Sequence, residues 1–327
     1  MVIVAAGVLA VALAGCSNPA TNTSPSSGSK GSTLPASCKT KKPTIGVALP
    51  NTVNPYYVAM QKSFKDNGKA LGFDVKVAIA NDSDSAQLSQ VQAFIQQKVC
   101  AIALNGVNSG PAVASVVAAN KAGIPVFTVN VSLDEKSMKA QNAKIVQYVG
   151  PNQAAGGKLM GEQALKDLGA DAKIVAGIVG DPDQLPTNQR DQGFKDAWSK
   201  DANAKVVATV NSKVDPNVSL KVTGDMLQGN PEINLIFADT GPGAVGALQA
   251  VKQAGKEGSV NVYAFCAAST PVAGNYKACV AQEPAEYAKI VLTNLKKYIG
   301  GASVDPTAVG PFKVFVTGQT PGPGEVG

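Results

Sequence analysis

The sequence predicts an α/β protein built as two doubly wound parallel-sheet domains that face each other. Three observations carry this reading. Apolar runs of strand length alternate with amphipathic stretches of helical length, the spacing of βαβ units whose parallel sheets are covered on both faces. The alternation runs through once and then restarts near residue 173. At 327 residues the chain is long enough for two cores of ordinary size.

Taken in order, the first strand is 44–49 (TIGVAL). A helix starting at Pro55 follows, with Tyr57, Met60, Phe64 and Leu71 on one stripe and Gly72 closing it. Strand 73–79 leads into the cap candidates 81–84 and a helix with stripe Leu88, Val91, Ile95 and Val99. Strand 101–104, a helix near 112–122 and strands 125–129 and 145–149 complete the first half. The second half places strands at 173–179, 205–210, 233–238, 260–265 and 278–281, with helices between them. A later helix returns to the first domain before the final strand. This puts chain crossings near Gly150, Gln282 and Pro311 and makes a three-crossing hinge. The resulting lobes are 38–150 plus 283–311, and 151–282 plus 312–327.

Composition narrows the function. Charged residues make up only 16% of the chain, and 29 basic against 23 acidic residues give a net charge of +6 without long runs, so no nucleic-acid surface stands out. The absence of histidine removes Ser-His-Asp and Cys-His nucleophile systems and the commonest zinc ligand. No carboxylate pair or Cys-x-x-Cys set at the strand ends replaces them. The chain therefore reads as a binding protein, with no catalytic residue, metal or cofactor.

Residues 1–15 are uncharged and apolar, too few to span a bilayer, and read as a signal peptide lacking its positive n-region. Leu13-Ala14-Gly15-Cys16 is similar to the lipobox of bacterial lipoproteins, in which the cysteine is acylated. Residues 16–37, rich in Ser, Thr, Asn, Pro and Gly, read as a flexible tether from that lipid. The expected location is outside the cytoplasm, anchored to the outer face of the cytoplasmic membrane or periplasmic. Removing the anchor from the five cysteines leaves four, for which three connectivities exist. Cys38 precedes the first strand and Cys100 opens the third, neighbours in a doubly wound sheet. Cys266 ends one strand and Cys279 sits in the next. The pairs Cys38–Cys100 and Cys266–Cys279 are expected.

In such sheets ligands bind beyond the carboxyl ends of the strands. Those positions hold mainly amides, hydroxyls and aromatic rings: Asn54, Tyr56, Tyr57, Asn105 and Asn130 in the first half, and Asn188, Arg190, Thr240, Phe265 and Gln282 in the second. A carboxamide both donates and accepts, which suits sugar hydroxyls, and an aromatic face covers an apolar sugar face. Gly241, Gly243 and Gly246 form a G-x-G-x-x-G after a strand, the alternative of a dinucleotide site. The acid such a site needs at the next strand end is absent, since that strand ends Phe265-Cys266.

From 44 to 316 the chain resembles the periplasmic sugar-binding proteins of ABC importers, in the ribose-binding-like, type I group. TIGVALPNTVNPYYVAM, KAGIPVFTVN, YVGPNQAAGGKLMG, QRDQGFKDAW, FADTGPGAVGALQAVKQAG and VAQEP stand in the family's order. The resemblance implies a polar contact at Asn54, aromatic walls at Tyr56 and Tyr57, a polar ligand position at Asn105 and a ligand glutamine at Gln282. The chain departs from the ribose pattern at Asn130-Val131, Asn188, Thr240-Gly241 and Phe265-Cys266, where the family carries charged or amide partners. This leaves a less charged pocket with Arg190 as its chief charge. A neutral monosaccharide or polyol is the implied ligand, a membrane permease and the lipid-anchored membrane are the implied partners, and the protein is expected to be a monomer without nucleic acid. A sensor for a furanosyl signal or another small polar molecule is the alternative within the same class. A sugar-responsive repressor shares this core, but residues 17–37 offer no helix-turn-helix.

Overall fold

A computed structural model describes residues 34–327 except 170 and 200. The expected signal peptide at 1–15, the acylation site Cys16 and most of the tether lie outside the described residues. One turn of 3-10 helix, Ala36–Lys39, falls partly within the stretch assigned to the tether, because Cys38 is buried and bonded to Cys100.

The first sheet contains β1 (Thr44–Leu49), β2 (Asp74–Ile79), β3 (Ala101–Leu104), β4 (Val126–Val129), β5 (Gln147–Gly150) and the short β11 (Thr307–Val309). Its order is β11-β5-β4-β3-β1-β2, all parallel. The second sheet contains β6 (Ile174–Gly180), β7 (Ala204–Asn211), β8 (Leu235–Ala238), β9 (Asn261–Phe265), β10 (Tyr276–Gln282) and β12 (Phe312–Val316), in the order β12-β10-β9-β8-β6-β7. Here β12 runs antiparallel to β10, a departure from purely parallel sheets. It follows β11 after two residues, a connection too short for the crossover that a parallel strand needs. Inner strands such as β3, β6 and β8 are buried along their whole length, as burial on both faces requires.

The helices are α1 (Pro55–Leu71), α2 (Asp84–Gln96), α3 (Ala112–Lys121), α4 (Glu135–Ala140), α5 (Gln153–Leu168), α6 (Leu185–Ala197), α7 (Pro216–Gly229), α8 (Gly241–Gln253) and α9 (Pro284–Ile299). The six-residue α4, capped by the Asp134 carboxylate, has no buried residue and so leaves no apolar stripe to read in the sequence. In α2 the buried face is Gln87, Val91 and Phe94 rather than the full expected stripe, with Leu88 and Ile95 only partly buried. Polar Gln87 is tolerated there because its amide donates to the Asn105 carbonyl and accepts from the Val107 N–H, fixing the loop after β3.

The chain passes between sheets after β5, after β10 and between β11 and β12; α9, which follows β10, packs on α1. Apolar clusters fill both faces of each sheet. Each lobe also carries one disulfide: Cys38–Cys100 at the amino end of β3, and Cys266–Cys279 between the end of β9 and β10.

Candidate ligand-binding cleft

In each sheet the chain turns back after the first strand, so β1 and β3 form one switch point and β6 and β8 the other. The loops leaving these strands meet across a cleft. At one lip the Leu185 N–H donates to Ser109 Oγ (3.1 Å) and Gln184 Nε2 donates to the Val107 carbonyl (3.3 Å). At the hinge Tyr56 Oη donates to Gln282 Oε1 (3.4 Å).

Between these contacts lies a cavity of about 20 Å³, room for roughly one water molecule. Asn54, Tyr56, Tyr57 and Asn130 line it from the first lobe, Arg190 and Thr240 from the second, and Gln282 from the hinge. A second cavity of about 360 Å³ adjoins it and shares Asn54, Val214 and Gly327 with it.

The first-lobe wall follows from local rules. Asn54 caps α1, its Oδ1 accepting the Tyr56 N–H at 2.9 Å, and Pro55 supplies the preset backbone of the first turn. The Asn54 Nδ2 is what remains for a ligand. Tyr56 and Tyr57 meet edge to face with centroids 5.5 Å apart. Burial pushes both phenols above their ordinary range, so both stay neutral. Asn130 takes the left-handed conformation (φ 63°), which asparagine tolerates better than most residues. Its carbonyl accepts from Tyr148 Oη at 2.9 Å, and burial pushes that phenol up to about 12.

The second-lobe wall is organised by Arg190, which is almost fully buried. Its Nε donates to Gln153 Oε1 (2.8 Å), its Nη1 donates to the Asp239 carbonyl (2.7 Å), and its guanidinium lies 4.0 Å above the Phe265 ring. Burial pulls its pKa down, against which nearby Asp239 and the tyrosines act. Among the described residues Arg190 forms no ion pair with a carboxylate on the helix surface. Two glycines seat α6 on α5: a Cβ at Gly157 would lie 1.9 Å from the Arg190 carbonyl, and one at Gly193 equally close to the Ala154 carbonyl.

Three expected site residues do not reach the cavity. Asn188 is exposed, its Nδ2 donating to the Pro182 carbonyl at 2.8 Å. Two residues apart on a helix face opposite ways, so with Arg190 turned inward Asn188 must turn out. Asn105 still belongs to the ladder, its N–H donating to the Ala48 carbonyl, and its side chain lies beside Met60 Sδ (3.6 Å), a layer below the cleft. Phe265 lies behind Arg190 as its platform. Conversely, Gln184, Pro186 and Thr187 line the cavity from the start of α6, and Val214 from the loop before α7. Gln153 stands one contact away; a glutamine opening a Gly- and Ala-rich helix was its only sequence signal.

The glycine-rich turn at 241–246 holds no open phosphate cradle. The Gly241 N–H donates to the Gly327 carbonyl, and the Gly243 N–H donates to the Thr240 hydroxyl that caps α8. A Cβ at Gly246 would lie 2.3 Å from the Pro216 carbonyl of α7, so that glycine serves helix packing. Among the described residues no cluster of metal-ligating side chains occurs and no helix is long and apolar enough to cross a membrane.

Two α/β lobes, three chain crossings between them and a polar cleft at the strand ends define the architecture of a two-lobed binding protein. The family model described as periplasmic binding protein domain matches residues 45–303. The chain is 30% identical over 278 residues to the ribose import binding protein of Bacillus subtilis (strain 168), covering 84% of this chain and 87% of that one. It is also 30% identical over 247 residues to the D-allose-binding periplasmic protein of Escherichia coli (strain K12), covering 73% and 79%. Among solved structures, a solute-binding protein of an ABC transporter from Actinobacillus succinogenes 130z with bound D-allose superposes with a TM-score of 0.76 at 27% identity, over 84% of this chain and 98% of that one. The chain belongs to the periplasmic binding protein family, in its type I sugar-binding group. These relatives are binding proteins of transport systems, not enzymes.

Proposed function

We propose that the protein captures a neutral monosaccharide or polyol between its lobes and delivers it to a membrane permease, held at the membrane by a lipid on Cys16. One observation carries the ligand class. Asn130 Oδ1 and Gln282 Nε2, an acceptor on the first-lobe wall and a donor at the hinge, are buried beside the cavity without partners. A hydroxyl can donate to the one and accept from the other, which offsets the cost of leaving both unmade. Among the described residues Arg190 is the only charged side chain lining the cavity, and its charge sits among buried carboxyl groups, so the ligand need bring none. The relatives named for ribose and allose are named for neutral aldoses of this kind.

Entry requires the lobes to part, because the cavity is smaller than any sugar. Closure then depends on contacts that a ligand makes with both walls at once, since affinity for one wall alone shifts no equilibrium between open and closed forms. A thermal-shift screen against pentoses, hexoses and polyols tests the reading, since a ligand of the folded state raises the melting temperature by mass action. Saturable stabilisation by a neutral member is expected; stabilisation by anionic compounds only would overturn it. For the anchor, Cys16→Ser should release the protein into the medium with ligand affinity unchanged, and retention of that variant at the membrane would remove it.

A further inference from the structure

The second lobe buries a pair of carboxyl groups that ligand contact does not explain. Strand β6 ends at Gly180, beside β8. Asp191 on α6 and Asp239 just after β8 both turn into the space that glycine leaves. A Cβ at Gly180 would lie 2.8 Å from Asp191 Oδ2 and 2.8 Å from Asp239 Oδ2, so the two oxygens are no farther apart than twice that distance. Asp239 is wholly buried and Asp191 is 7% exposed. Asp239 Oδ2 accepts the Asp181 N–H at 3.0 Å, while the Oδ1 of each residue is buried without a partner. Neither carboxylate forms an ion pair among the described residues. Arg190, the neighbour of Asp191 in the chain, spends its hydrogen bonds on the Asp239 carbonyl and on Gln153.

Two ionised carboxylates facing each other in a buried site repel strongly, and a single proton between them replaces repulsion with an O–H to O⁻ hydrogen bond. We infer that Asp191 and Asp239 hold one proton between them, forming a singly charged pair that balances Arg190, ties α6 to the β8–α8 turn and makes the second-lobe wall of the cleft sensitive to pH.

The surrounding charges do not remove the need for that proton. Helix α6 itself contributes Arg190 and Lys195, the loop after β6 contributes Asp181 and Asp183, and the loop after β7 contributes Lys213, which pairs with Asp183 at 3.1 Å. From α5 comes only the neutral Gln153, and from the first lobe the neutral Tyr56, Tyr57 and Tyr148 face Arg190. Burial raises the Asp191 carboxyl, against Lys195 and Arg190, to about 7. Burial and then the Asp191 charge raise Asp239 well above the carboxylate range, and burial raises Asp181 as well. An unfolded aspartate titrates near ~3.9. A group raised in the folded state stabilises it fully below the unfolded value and loses that stabilisation as pH climbs through the folded one. The contribution should therefore be complete near pH 4 and fade toward pH 7, where Asp191 ionises and leaves the single proton of the charged pair, whose loss at more alkaline pH would place a second charge beside Arg190.

Infrared titration of the purified protein reads the proton directly, through the carbonyl stretch of an un-ionised carboxylic acid. At pH 6 the wild type should show this band, and Asp239→Asn and Asp191→Asn should each lose it or titrate it at a pH lower by at least about one unit, the size of shift that a like-charge neighbour commonly causes. Asp181→Asn should leave it in place. Melting temperature should fall from pH 5 to pH 8 more steeply in the wild type than in either pair variant. Should one variant fail to fold, the other and the wild-type titration still decide the matter. A wild type without the band at pH 6, a band unmoved in the pair variants or lost in Asp181→Asn, or melting profiles of equal slope would overturn the inference. No ligand enters these measurements, so their failure would leave the sugar reading untouched.

Discussion

The two lobes share a strand order yet line the cleft with different chemistry. Around its strand ends the first lobe presents Asn54 and Asn130 to the cavity, together with the neutral rings of Tyr56 and Tyr57. The corresponding ends of the second lobe hold Asp181 and Asp239, with Asp191 and Arg190 packed against them from α6. A doubly wound sheet thus fixes where a site falls and leaves its electrostatics free. One wall works by dipoles and ring faces, the other by a buried cation set among carboxyl groups.

Removing the centre of the second wall should have the largest effect. Arg190→Met leaves the buried carboxyl pair without its counter-charge, and breaking such an arrangement typically costs about 3–5 kcal/mol. Chemical denaturation measures it; a loss no greater than that of an exposed surface substitution would mean that the two walls do not differ as described. The disulfides come next. Loop-closure entropy assigns about 4 kcal/mol to Cys38–Cys100, whose partners are 62 residues apart, and about 3 kcal/mol to Cys266–Cys279, 13 apart. Replacing each pair by serines in separate proteins should reproduce that order, and the reverse order would show that the second bridge also restrains the folded cleft.

A smaller effect is expected on affinity. Asn130→Ala and Gln282→Ala each leave a ligand hydroxyl unpaired, at about 1–3 kcal/mol, or tenfold to a hundredfold in Kd. Calorimetry with the sugar found by the thermal screen, with melting curves as a control for folding, separates affinity from stability. Wild-type affinity in both variants would remove the first wall and the hinge from the site. The smallest effect concerns salt. Because a neutral ligand meets a wall whose one cation is internally balanced, affinity should change less than about twofold between low and high ionic strength, where screening acts on charged partners. A steep dependence would make Arg190 a direct anion receptor and erase the contrast between the walls.

Much of the architecture was readable before any coordinates. The ten strands given bounds agree to within two residues at each end, because parallel strands buried on both faces leave unbroken apolar runs between turn residues, while the three-residue β11 left no such run. Both disulfides were legible too, since strand adjacency follows from the doubly wound order. What escaped was whatever depends on the phase of a helix or on packing around it. Asn188 and Arg190 sit together in the sequence, but only the seating of α6 on α5 decides which of them enters the cleft. The burial of Asp191 has no signal in the sequence, because an aspartate inside is exceptional, and no local pattern shows that Gly180 leaves room for it. The antiparallel β12 was hidden in the same way: its direction is set by the two-residue connection from β11, not by its own residues.

The glycine contacts between α5 and α6 have a mechanical consequence. Helix α5 starts directly after the first crossing at Gly150, and Gly157 and Gly193 bring its backbone against that of α6 with no side chain between them to yield. Rotation at the hinge is therefore delivered to Arg190 as through a rigid lever, without slack. Such a wall cannot adapt to a bulkier guest, so any tolerance for a larger substituent has to come from the tyrosine side, and variants that broaden the range of accepted ligands should accumulate in the first lobe.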